Sequence, residues 1–218
     1  MKSIRKTVVF LVGSALIPAF ADAHAAELKN RDYSRLSDDM GVVLLDVNWG
    51  RKWNCAGNEN AQLVSLRFEN VSQKPGEHDK YTEISLKTPS RLSVNPVFLN
   101  YGFLVEPGTY AFTEWSVKVA KSVNDIVFTR AIREDLVEGD VYHGGSFSLE
   151  AGEAIYIGNF FLDCYQSPIP WRYYSEGNDS FDRHTEEYKD KFKFLQGTEI
   201  EFRLLETENF GSSYELPE

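Results

Sequence analysis

The densest cluster of reactive residue types in the chain is His143-Gly144-Gly145-Ser146-Phe147-Ser148. A histidine followed by paired glycines can present backbone N–H groups to an oxyanion. A serine one step further can act as a nucleophile if a base reaches it. Asp179, Asp182 and His184 follow downstream in the order that acid, base and serine chemistry would need. The chemistry would be that of a serine hydrolase using Ser146 with His184 or His143 as base. Its setting argues against it. A nucleophile elbow needs a strand-to-helix turn, whereas Ser148 to Tyr156 alternates as strand, Ala151-Gly152 turn and strand, and Ser148 stands where the elbow's last glycine belongs. The preferred reading is a glycine-bearing bulge or hairpin in a β-sheet, with no catalytic residue assigned and a hydrolase kept as the alternative.

The remaining histidines and the cysteines offer less. His78 lies in the polar stretch Gly76 to Lys80, and His184 falls on the apolar face of a helical pattern. A metal centre would need His78, His143 and His184 to converge from distant segments, so neither a metal nor any other cofactor is expected. Cys55 and Cys164 have no C-x-x-C neighbour, and an even count in an exported chain reads as one disulfide. Closing a loop of over a hundred residues would contribute roughly 4 to 5 kcal/mol in the chain-entropy model.

Aromatic residues are the other source of recognition chemistry, because Trp and Tyr combine a large apolar face with a polar tip. Trp49, Trp53, Trp115, Trp171, Tyr173 and Tyr174 could form stacking platforms for a sugar or a groove for a peptide, with core packing the expected role for most of these rings. The segment Ser167-Pro168-Ile169-Pro170-Trp171-Arg172-Tyr173-Tyr174 is stiffened by two prolines and would lose little entropy on binding. Trp171, Tyr173, Tyr174 and His143 are therefore the ligand-binding candidates.

Export is written at the start of the chain. Lys2, Arg5 and Lys6 precede the apolar run Thr7 to Phe20 and the small residues Ala21, Ala23 and Ala25, the three-part form of a secretory signal. The apolar core is about 14 residues, short of the roughly 20 that a spanning helix needs, and no later run approaches that length. Cleavage is expected after Ala25, with Ala23 as the competitor. It removes three bases and Asp22, taking the net charge from −10 to about −12. An acidic chain has no broad basic surface for phosphates, so nucleic acid is excluded as a partner and no transmembrane segment is expected. The expected location is the periplasm, as an exported soluble protein.

The elements that must position these residues are strands. Residues 26–40 read as a polar arm. Val42 to Val47 is rich in branched residues, while Leu63 to Glu69, Glu83 to Lys87 and Tyr110 to Val119 alternate with period two. Val97 to Val105, Asp125 to Ile132, Ser146 to Leu149 and Glu153 to Leu162 continue the series, punctuated by Pro75-Gly76 and Pro107-Gly108. Phe181, His184, Tyr188, Phe192 and Leu195 recur at helical steps, predicting a helix over about 180–195, and Thr198 to Glu206 alternates again. The expectation is a mainly β fold spanning 41–208, an antiparallel β-sandwich of immunoglobulin-like or jelly-roll-like type with one surface helix near the C-terminus, followed by a polar tail at 209–218.

Pro107-Gly108-Thr109-Tyr110, Gly145-Ser146-Phe147, Ala151-Gly152-Glu153 and Tyr156-Ile157-Gly158-Asn159-Phe160 resemble a pattern of uncharacterised exported proteins of proteobacterial envelopes, whose domains are expected to be β-sandwiches. The P-G-x-Y turn is similar to that of prealbumin-like and carboxypeptidase-regulatory-like modules, which implies a tight turn launching a strand whose Tyr packs into the core. The resemblance covers about a quarter of the chain and carries over no site residues. Together these features predict a non-catalytic exported envelope protein, a protein- or glycan-interaction module whose partner is an envelope protein or glycan.

Overall fold

The computed structural model describes residue 28 and residues 39–72, 82–89, 98–164, 169–173, 177–203, 205 and 207, with 169, 171–173 and 177–181 described through their backbone alone. The expected signal segment 1–25, most of the arm 26–40, the tail 209–218, His78 and Tyr174 lie outside the described residues. In chain order the strands are β1 (Gly41–Asn48), β2 (Lys52–Cys55), β3 (Asn58–Asn70), β4 (Glu83–Lys87), β5 (Phe98–Val105), β6 (Gly108–Ser122), β7 (Asp125–Ala131), β8 (Val137–Glu138), β9 (Val141–Tyr142), β10 (Ser146–Leu149), β11 (Ala154–Asp163), β12 (Ile169–Tyr173) and β13 (Ile200–Phe202). A single helical turn, α1 (Arg133–Leu136), follows β7, and α2 (Gly177–Lys191) lies between β12 and β13.

Two sheets face each other. The first has the order β12-β11-β1-β5, with β13 on the same side of β11 as β12 but further back along the strand. The second has the order β10-β6-β3-β2, with β4 on β3 and β7 on β6. Val43, Leu45 and Val47 of β1 meet Leu63, Leu66 and Phe68 of β3 in one core, where the Phe68 ring stands 5.0 Å from Phe112 and 5.6 Å from Phe160. The mainly β sandwich expected from the strand spacing is the observed architecture. The first sheet is mixed rather than purely antiparallel, because β1 and β13 both run parallel to β11. A parallel pair needs a long crossover, and here the chain between β1 and β11 carries every strand of the second sheet as well as β5.

A third layer explains β1. All eight of its residues are buried, since one face meets the second sheet and the other meets α2 and the turn after it. Val42, Leu44, Leu104, Tyr156, Tyr188 and Leu195 form this second apolar cluster. A strand covered on both faces has no polar side, which is why Val42 to Val47 reads as an almost unbroken apolar run. The helix itself ends earlier than its periodicity predicts. Phe192 leaves helical geometry (φ −118°, ψ 89°) and Lys193–Leu195 forms one tight 3-10 turn. That change lets Phe192, Phe194 and Leu195 all be buried, at a spacing that a continuous helix would spread over its surface.

Cys55 at the end of β2 is bonded to Cys164 just beyond β11, so the expected disulfide ties the edge of one sheet to the other. Tyr110, in the P-G-x-Y segment, is fully buried, stacks on Phe147 at 5.4 Å and donates its hydroxyl to the Glu106 carbonyl at 2.8 Å. Among the described residues no helix is long and apolar enough to cross a membrane.

Candidate functional site

Ser146 lies on β10, opposite Ala111 of β6. Its neighbours Phe147 and Leu149 enter the core between the sheets, so by strand alternation Ser146 faces away from that core, outside the second sheet. His184 rides on α2, outside the first sheet. The structure therefore sets the sandwich between Ser146 and His184. His143 sits in the turn before β10 with Nε2 3.8 Å from Glu138 Oε2, and among the described residues neither histidine hydrogen-bonds to Ser146. The glycines between them have a structural reason. A Cβ on Gly144 would stand 2.6 Å from the Phe112 carbonyl oxygen, Gly145 adopts φ 93°, and its carbonyl accepts from Phe112 N at 2.9 Å. This turn is docked against β6 by backbone contact that only glycine permits.

Trp171 and Tyr173 belong to β12, in register with Phe161 and Asn159 of β11. Pro170 is buried on this outer strand, a position where its missing N–H is tolerated. Of the other tryptophans, Trp49 is fully buried and donates Nε1–H to Tyr101 Oη at 2.9 Å, and Trp115 is also in the core. Trp53 is 54% exposed, with the Arg51 guanidinium 5.5 Å above its ring.

Sequence reasoning passed over two features. The first is a buried carboxylate. Asp46 is 0% exposed in the middle of β1. Its Oδ1 accepts from Tyr188 Oη at 2.6 Å and from Asn100 Nδ2 at 2.9 Å, and its Oδ2 accepts from Tyr156 Oη at 3.3 Å. His184 Nδ1 is 3.3 Å from the same Oδ2, close enough for an ion pair but off the direction of a hydrogen bond. The His184 ring stacks on Tyr156 at 5.9 Å, and Tyr156 also contacts Asn159 Oδ1. Burial, then the Asp46 charge, pushes the Tyr188 hydroxyl well above the ordinary tyrosine range. An aspartate holding a histidine is half of a general-base device. Among the described residues no Ser, Thr or Cys side chain hydrogen-bonds to the His184 ring, and Tyr188 and His184 join the helix to the sheet at Asp46 as a polar clamp. The signal was an aspartate inside an apolar strand, with His184 and Tyr188 four apart on one helix.

The second feature is the far end of the second sheet. Residues 125–130 of β7 are exposed on both faces, with Ile126 at 45%, Val127 at 41% and Phe128 at 62%. β7 pairs with β6 alone, so among the described residues its other edge carries unpaired backbone groups. Across the outer face the register sets Trp53, Asn60, Ala120 and Ile126 in one row and Gln62, Lys118 and Phe128 in the next. At a strand spacing near 4.8 Å, Trp53 and Ile126 mark the ends of a row about 14 Å wide.

Compared with family models, curated proteins and solved structures, the chain finds no match in any of the three.

Proposed function

We propose that the chain is an exported, non-catalytic interaction module of a bacterial envelope that works in the periplasm. The observation that carries this reading is the apolar overhang of β7. Native sheets blunt or cover their edges because an open apolar edge invites pairing, and clustered exposed apolar residues mark interaction sites. Phe128, Ile126 and Val127 stand together on such an edge, whereas the fold around them is closed by two cores and a disulfide. The disulfide and the leader-like first 25 residues support an oxidising destination.

The test offers immobilised mature protein to solubilised envelope fractions and to a glycan array, comparing wild type with Phe128→Asp, Trp53→Ala and Trp171→Ala. All variants are first matched by circular dichroism. A protein or glycan retained by wild type and lost with Phe128→Asp is the expected result. Loss with Trp171→Ala alone would move the surface to the 168–174 segment, and identical retention by all variants would remove the reading. Mass spectrometry of protein recovered from the periplasm should show a chain starting at Ala26; a retained Met1 would overturn the location.

A further inference from the structure

Resting on the interaction reading above, we infer that β7 is the acceptor edge for an extended segment of another protein, one that alternates apolar with acidic residues and adds as a further strand beside Ile126, Phe128 and Arg130. Strand addition needs an open edge, and β7 has one along its length among the described residues. It also needs room on both sides of the sheet for the added side chains. Val127 belongs to the face that elsewhere enters the core, yet it is 41% exposed, so the first sheet does not extend beneath β7.

Charge selects the partner. The chain as a whole carries −10, but this corner is cationic. Lys118 and Arg130 lie on the outer face and Lys121 sits in the bulge before the hairpin tip, three bases against the single carboxylate of β7, Asp125. Among the described residues none of these three bases makes an ion pair, although Arg67, Arg133 and Arg203 elsewhere all do. An added strand places alternate residues on this outer face. Acidic side chains on this face would lie beside Arg130 and one strand away from Lys118, while the apolar ones, on the opposite face, would cover Val127. A second copy of this chain is the poorer occupant. Each copy carries a net charge of −10, which disfavours their association.

The probes are short synthetic peptides alternating Val or Ile with Glu, the same sequences with Lys for Glu, and the Glu peptides with alternate backbone nitrogens methylated. Binding is followed by fluorescence anisotropy and by amide exchange of the protein. The Glu peptides should bind and should slow exchange of those amides in 125–131 that point away from β6. Binding should be weaker by about tenfold or more for the Lys peptides and for Arg130→Glu, and lost on methylation, on Phe128→Asp and at high salt. Equal binding of Glu and Lys peptides, indifference to methylation, protection mapping elsewhere, or no binding by any Glu peptide would overturn strand addition. So would a sedimenting dimer abolished by Phe128→Asp, which would identify the second copy as occupant. If the peptides fail while Phe128→Asp still loses an envelope component, strand addition falls and the interaction module stands; if Phe128→Asp changes neither, both fall.

Discussion

Tyr188 on α2 donates its hydroxyl to Asp46 on β1 at 2.6 Å, across 142 positions of sequence. The acceptor is a carboxylate with no exposure, in the strand at the heart of the molecule. A buried charge is tolerated only where donors surround it. Asn100 from β5, Tyr156 from β11 and Tyr188 from the helix therefore converge on one point. The apolar contacts of Phe192 and Leu195 attach the helix to the first sheet, and the Asp46 cluster fixes where along the sheet it sits.

Tyr188→Phe removes one donor and leaves the carboxylate short of a partner. Hydrogen bonds to charged groups are worth about 1.5 to 3 kcal/mol, and the substitution should lower unfolding free energy by about that amount. Urea denaturation followed by tryptophan fluorescence measures it. A change below about 0.5 kcal/mol, the level of an ordinary surface substitution, would mean that the cluster does not hold the helix.

The same tyrosine sets a pH dependence. Its folded-state pKa is raised by burial and by Asp46, and that of Tyr110 is raised by burial. The folded protein therefore holds these protons more tightly than the unfolded chain. Their contribution is complete below the unfolded value of about 10 and is lost as pH rises beyond it. Unfolding free energy should fall above about pH 10, and less steeply in Tyr188→Phe than in wild type. Glu153 acts in the opposite direction, because the Arg203 hydrogen bond lowers its pKa; its contribution is present above about pH 4 and lost on acidification.

Reduction of Cys55–Cys164 should be costly. The bond spans 109 positions, and the chain-entropy model gives about 4 to 5 kcal/mol for such a loop. A double Cys→Ala variant, or protein unfolded in the presence of reductant, should show a denaturation midpoint shifted to much lower urea. Intact mass after alkylation should find both sulfurs protected in the native protein. Two labelled thiols without reductant would contradict the bond.

The strands were legible because alternation and turn residues are local. Leu63 to Glu69 and Tyr110 to Val119 reveal their faces within a few residues, and each lies in an observed strand. What depends on the partner was not legible. Val42 to Val47 announces burial but not that β11 would lie parallel beside it, since direction is decided by a crossover over a hundred residues long. Asp46 is visible as an odd residue in that run, yet Asn100, Tyr156 and Tyr188 are separate segments until the chain folds. The three consecutive apolar residues Ile126 to Phe128 have the pattern of a covered strand, and only the extent of the opposite sheet leaves them in solvent.

The His143 to Ser146 segment separates structure from catalysis in one experiment. Gly144→Ala would place a Cβ 2.6 Å from a backbone oxygen of β6, which side-chain movement cannot relieve, and such overpacking costs about 1 to 3 kcal/mol. Gly145→Ala must hold φ 93°, at a cost on the order of 1 to 2 kcal/mol. Ser146 is half-buried on the outer side of an edge strand, so Ser146→Ala should stay within about 0.5 kcal/mol of wild type. The stability ranking should therefore fall on the glycines and spare the serine. A fluorophosphonate probe, which reports an activated serine by forming a covalent bond to it, should label neither wild type nor Ser146→Ala. Labelling of wild type that disappears in Ser146→Ala would show that a base reaches Ser146 despite the sandwich between it and His184, and would restore the hydrolase reading.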